Sequence, residues 1–153
     1  MMESINTYDE FKKMEGCIIG SSSYLLITEE MISKYHKSLS IVENSDFDYD
    51  KNELIDFYII SIMPYLWKQM VDIRNVKMVI NYGFDQIALI NKVKIGEHIR
   101  LVASIESVKR VLGVTKVVID FNIEIKEREI RAVDGKAIFL YHLSLIHISE
   151  PTR

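Results

Sequence analysis

Leu54-Ile55-Asp56-Phe57-Tyr58-Ile59-Ile60-Ser61-Ile62-Met63-Pro64-Tyr65-Leu66-Trp67 is the stretch whose reading decides the fold. Apolar residues recur around its whole helical circumference and continue at Met70 and Val71, which predicts a helix enclosed by protein on every side. Phe57, Tyr58, Tyr65 and Trp67 are accordingly read as core. Pro64 interrupts the run. An interior proline removes one helical hydrogen bond and costs roughly 3 kcal/mol, so the reading expects a kink or break there.

Downstream the period changes. Val117, Ile119, Phe121, Ile123 and Ile125 alternate with Lys116, Val118, Asp120, Asn122, Glu124 and Lys126, the pattern of a sheet with one wet face. Ile99, Leu101, Ala103 and Ile105 do the same against Arg100, Ser104 and Glu106. Gly96-Glu97, Leu112-Gly113 and Glu127-Arg128 lie between such runs as tight connections. The expected strands are Val76 to Ile80, Gln86 to Val93, His98 to Val111, Thr115 to Lys126 and Glu129 to Tyr141, antiparallel because their links are short. The fold class is therefore α+β, a curved antiparallel sheet of about five strands around one central apolar helix.

Upstream, Ile5, Tyr8 and Phe11 suggest a short peripheral amphipathic helix. Thr28 is placed to cap a second helix, with Glu29 and Glu30 in its first turn and Met31, Tyr35 and Leu39 on one face. Val42 to Asn52, which holds four acidic residues, reads as a loop.

Composition narrows the function classes. At 153 residues and 48% hydrophobic content, the chain suits one domain that buries about 68–70% of its unfolded surface. Nineteen basic against 22 acidic residues, without a basic block, argue against nucleic acid as a partner. The uncharged part of the apolar run, Phe57 to Trp67, is 11 residues long. A bilayer needs about 20, so no membrane span is expected. Cys17 stands alone, and a cytoplasmic setting fits a chain without an internal disulfide. The N-terminus, with Glu3, Asp9 and Glu10 and no apolar run, does not read as a secretory signal.

Three blocks carry a family resemblance. Gly20-Ser21-Ser22-Ser23-Tyr24-Leu25-Leu26-Ile27-Thr28-Glu29-Glu30-Met31-Ile32 is similar to G-x-S-D-W-x-x-I-T-x-E-x-I, Ile59-Ile60-Ser61-Ile62-Met63-Pro64 to L-x-L-S-L-I-P, and Ile80-Asn81-Tyr82-Gly83-Phe84-Asp85-Gln86-Ile87 to I-N-Y-G-L-D-x-V. These are motifs of the MaoC-like dehydratases, the (R)-specific enoyl-CoA hydratase type, and the match spans roughly Gly16 to Tyr141. The resemblance implies a single hotdog fold, an acyl-CoA or related acyl thioester as substrate or ligand, and no cofactor. It also implies association, because hotdog sheets commonly pair edge to edge. A homodimer, or a heterodimer with a paralogue, is the expected assembly.

The family's catalytic Asp and His, one to activate water and one to move the proton, fall here on Ile41 and Asp46. Asp48 matches a trailing Asp. Neither catalytic residue type is retained, which marks a degenerate active site. The family's backbone donors to the thioester oxygen fall on Leu54, Ile55 and Asp56. Asn81, Tyr82 and Gly83 are the remaining substrate-binding candidates, set against a structural irregularity that needs glycine.

Asp46, Asp48 and Asp50 alternate, but an EF-hand would need Gly and Glu where Lys51 and Phe57 stand, so no metal is expected. His36 is read as exposed on the second helix, and His98 as a surface residue opening a strand. His142 borders the tail and is given no role. Leu143 to Arg153 resembles the translated read-through of a sequencing-library adapter. The reading therefore takes 1–142 as the domain and 143–153 as non-native.

Three functions stay open: a hydratase-type enzyme whose Asp/His pair is lost, a non-catalytic acyl-CoA-binding protein or partner subunit of an active hydratase, and a thioesterase using Asp46 or Asp56.

Overall fold

A computed structural model describes residues 4–39 and 56–144. The elements run β1 (Ser4–Ile5), α1 (Tyr8–Lys13), β2 (Ile18–Ser21), β3 (Leu25–Leu26), α2 (Glu29–Leu39), α3 (Asp56–Met70), β4 (Asp72–Ile73), β5 (Val76–Leu89), β6 (His98–Val111), β7 (Val114–Ile125) and β8 (Ile130–Leu143). Six strands form the main sheet in the order β2-β6-β7-β8-β5, with β3 also on β6, and its pairings are antiparallel. A small parallel pair, β1 with β4, ties the N-terminus to the end of α3.

Directly opposed residues share a face. Ile99, Leu101, Ala103 and Ile105 of β6 face Ile125, Ile123, Phe121 and Ile119 of β7 across the ladder, and all are buried. Val133, Ala137, Phe139 and Tyr141 of β8 continue that inner face. Against it lies α3, which packs on β6 and buries Ile59, Met63, Leu66 and Trp67. Each such side chain contributes about 1.5–3 kcal/mol by leaving water. Leu112 and Gly113 turn the β6–β7 hairpin with φ of 50° and 82°, the left-handed pair whose twist suits a two-residue hairpin. Gly135 is bare because β5 and a ring crowd it: a Cβ there would stand 2.9 Å from the Gln86 carbonyl oxygen and 2.9 Å from Phe121.

Several expectations need correction. α3 runs unbroken from Asp56 to Met70 with Pro64 inside it, so one missing hydrogen bond is tolerated where the helix is held by packing. Nor is α3 enclosed on every side: Phe57 is 71% and Tyr65 74% exposed, because the sheet covers one face only. Tyr58 is half-buried, edge to face with Tyr35 of α2 at 4.5 Å between ring centroids. Trp67 is core. The first helix is shorter than its apolar pattern and more than peripheral, since Phe11 is fully buried and its ring lies 5.2 Å from that of Tyr141.

The strands expected at Val76 to Ile80 and Gln86 to Val93 are one strand, β5, that runs through Asn81-Tyr82-Gly83. Register shifts at Lys77, Tyr82 and Asp85 absorb the irregularity as bulges. The sixth strand comes instead from β2 and β3, upstream of the helices. His36 is buried on α2, not exposed. Thr28 caps α2 as expected, its hydroxyl accepting from the Met31 amide at 3.2 Å. Ile41, Asp46, Asp48, Asp50, Leu54 and Ile55, and the loop from Val42 to Asn52, lie outside the described residues. So does the tail beyond Ser144; Leu143 pairs with Val76 at the end of β8. No described helix is long and apolar enough to cross a membrane.

Candidate functional site

The inner face of the sheet continues onto β5 beyond the shelter of α3. Val79, Asn81, Phe84, Ile87 and Leu89 lie opposite Tyr141, Phe139, Ala137, Gly135 and Val133 and so point inward, yet all five are exposed. Between them and the C-terminal half of α3 opens a groove of about 600 Å³. Pro64, Trp67 and Val71 form its helical wall, Val79 and Asn81 its strand wall, and Phe139 and Tyr141 its floor.

The floor is buried and neutral. Trp67 Nε1 donates to Tyr141 Oη at 2.9 Å, both side chains being buried. Burial pushes the Tyr141 phenol far above its ordinary range, only partly countered by that hydrogen bond. The phenol therefore stays protonated, and its oxygen is already engaged. Charged groups sit at the rim, as Lys68, Asp72 and Lys77. Asp72 is paired with Arg74 at 2.8 Å. Such a groove can hold an apolar chain along its length and a polar head at its mouth.

The candidate residues from the sequence do not converge. Asn81 lines the groove. Tyr82 is the extra residue of a bulge and is 65% exposed, while Gly83 pairs with Ile138 on the opposite face of the sheet. Asp56 opens α3 at its other end, with its carboxylate 3.6 Å from Lys92 Nζ. His98 lies at the surface against Glu127, and His142 is exposed beside Met78. Val71, Val79, Phe139 and Tyr141 were not singled out as site residues. Residues two apart on a strand share a face, as Phe139 and Tyr141 do, and only the sheet order reveals that this face is shared with β5.

No family model matches the chain, and no curated protein is similar to it in sequence. Solved structures are similar in fold. The monoamine oxidase regulatory protein from Archaeoglobus superposes with a TM-score of 0.71 at 12% identity, covering 92% of this chain and 97% of its own. A MaoC-like dehydratase from Rhodospirillum rubrum gives 0.62 at 9% identity, covering 83% of this chain and 92% of its own. The HadBC (3R)-hydroxyacyl-ACP dehydratase complex from Mycobacterium tuberculosis gives 0.58 at 14% identity, covering 83% and 96%. With its apolar helix laid across a curved antiparallel sheet, this chain has the hotdog fold, to which the solved MaoC-like dehydratase is similar.

Proposed function

We propose that the protein binds acyl thioesters in the groove between α3 and β5, on a scaffold of the enoyl-CoA hydratase type, without turning them over by itself. The observation that carries this reading is the groove itself: walls that are apolar but for Asn81, a floor closed by the Trp67–Tyr141 hydrogen bond, and polar groups at its mouth. Hydration would need a base for water and an acid for the alpha carbon. Among the described residues lining the groove, the carboxylate is Asp72, which Arg74 already engages. The family positions for that chemistry correspond to Ile41 and Asp46, which supports binding over catalysis.

A second copy or an active paralogue is the partner that β5 favours. This 14-residue strand ends the sheet with apolar side chains exposed on both faces, among them Met78, Val79, Ile80, Tyr82 and Phe84. A long apolar edge is a template for strand pairing, and dehydratases of similar fold are described as a complex. A cytoplasmic setting agrees with the single Cys17.

Crotonyl-CoA tests the reading. Calorimetry should show saturable binding, and the enoyl absorbance should persist on incubation. Val79→Arg, which places a charge in the groove, should abolish binding. Hydration that disappears in Asp46→Ala would instead make the protein an enzyme.

A further inference from the structure

The β6–β7 hairpin ends in Lys109-Arg110-Val111-Leu112-Gly113-Val114-Thr115-Lys116, and three of its features work against the fold. Leu112 takes the first turn position with a φ of 50°, a left-handed conformation that favours Asn, Asp or Gly there. Its side chain is 99% exposed, the largest value among the described large hydrophobic residues. Lys109 and Lys116 stand directly opposite each other across the ladder, where like charges repel. Local costs that converge on one tip without a packing gain point to a task outside the fold. We infer that the tip anchors the protein to an anionic lipid surface: Val111 and Leu112 enter the apolar layer beneath the headgroups, and Lys109, Arg110 and Lys116 meet the lipid phosphates. The inference is independent of acyl-thioester binding.

Register sets the geometry. Val111 pairs with Val114 beside Leu112, so the end of the ribbon is an apolar cap. Behind it Arg110 pairs with Thr115, and then Lys109 with Lys116. Successive residues of a strand point to opposite faces, so Arg110 lies on one face of the ribbon and the two lysines on the other. Cations therefore flank the cap on both sides, the lysines about 7 Å behind Val111 along the strand. That offset matches the ~5–10 Å over which an interfacial segment passes from headgroups to acyl chains. The Arg110 guanidinium is steadied by the Tyr8 ring, 4.1 Å from its centroid.

Charge is segregated to suit. The chain has a net charge of -3, yet the stretch from Lys109 to Lys116 holds three cations and no carboxylate. Among the described residues, no ion pair engages those three. Two carboxylates approach the stem: Glu15 accepts from the Val108 amide at 2.7 Å but is paired with Lys12 at 3.0 Å, and Asp9 lines a groove with Arg110. The cations stay in excess.

The shape favours a bilayer over a macromolecule. A stable protein interface buries about 800 Å² on each partner, whereas this tip is a protrusion with two exposed apolar side chains, around which lipid closes without a fitted surface. Nucleic acid would meet the cations and leave Leu112 in water. Apolar insertion and attraction to anionic headgroups add together at a membrane surface.

Co-sedimentation of the full chain with vesicles tests this, using phosphatidylcholine alone and phosphatidylcholine mixed with phosphatidylglycerol in equal parts. The wild type should sediment with the mixed vesicles, be released by salt, and stay in solution with phosphatidylcholine. Leu112→Asn should bind the mixed vesicles about tenfold more weakly, the order expected for one leucine left in water. Lys109→Gln and Lys116→Gln should each lose about fivefold. Lys94→Gln, exposed beyond the opposite end of β6, should bind as the wild type does. Because Asn suits the left-handed turn position, Leu112→Asn should melt no lower than the wild type, which separates lost docking from lost fold. No sedimentation of the wild type, the result expected if the tip instead enters a pocket on another protein, would overturn the proposal. So would equal binding to both kinds of vesicle, unchanged binding by Leu112→Asn, or a lower melting temperature for that variant.

Discussion

Trp67 and Tyr141, 74 residues apart in the chain, meet through a buried hydrogen bond of 2.9 Å from indole to phenol. It joins the last turns of α3 to the end of β8 and closes the floor of the groove. Tyr141→Phe keeps the ring but leaves the indole N–H unsatisfied, a loss of about 1–3 kcal/mol. Urea unfolding should show a lower midpoint with an unchanged slope. Trp67→Ala also opens a cavity and should cost about 3–5 kcal/mol.

Gly135 gives a sharper test of packing. Any side chain there meets backbone oxygen on β5 and the ring of Phe121. Gly135→Ala should destabilise the protein by about 1–3 kcal/mol, because neither neighbour is the free end of a flexible side chain. Gly113, with open space around its missing Cβ but a φ of 82°, should respond through backbone strain alone. Comparing the two alanine variants by thermal unfolding separates the mechanisms.

Glu127 predicts a pH dependence. Its carboxylate accepts from the His98 amide at 2.8 Å and also meets the His98 ring, and these bonds lower its pKa to about 2. A depressed carboxylate stabilises the fold fully above its ordinary value near 4.5, and the contribution fades as pH falls through about 2. Melting temperatures of wild type and Glu127→Gln should therefore differ by a constant amount above about pH 4.5 and converge towards pH 2. A gap that stays constant down to pH 2 would contradict the assignment.

Association through β5 predicts that a charge on the strand separates protomers without unfolding them. Tyr82 is 65% exposed in the protomer, so Tyr82→Lys should leave thermal stability of the isolated domain intact. Light scattering should report a dimer for the wild type and a monomer for the variant. Two dimers would place the interface elsewhere.

How much of this was legible in the sequence depended on contrast between faces. β6 and β7 were readable because buried Ile, Leu and Phe alternate with polar residues along them. β5 was read as two strands rather than one, since it is apolar on both faces and its bulges break the period. α3 was readable as a helix, but a composition rich in apolar residues could not say that Phe57 and Tyr65 would face outward while Met63 and Trp67 faced the sheet. His36 misled because its polarity suggests solvent, whereas it shares the buried face of α2 with Ile32, four residues earlier. The groove itself belongs to no local pattern. It arises from the order of strands, which sets β5 beside β8 despite the distance between them in the chain.

Titration of the purified protein with crotonyl-pantetheine, a thioester without nucleotide, tests the central claim most directly when wild type and Val79→Arg are compared. The account predicts saturable binding by the wild type and none by the variant, both folded. Equal binding by the two proteins, or none by either, would contradict it.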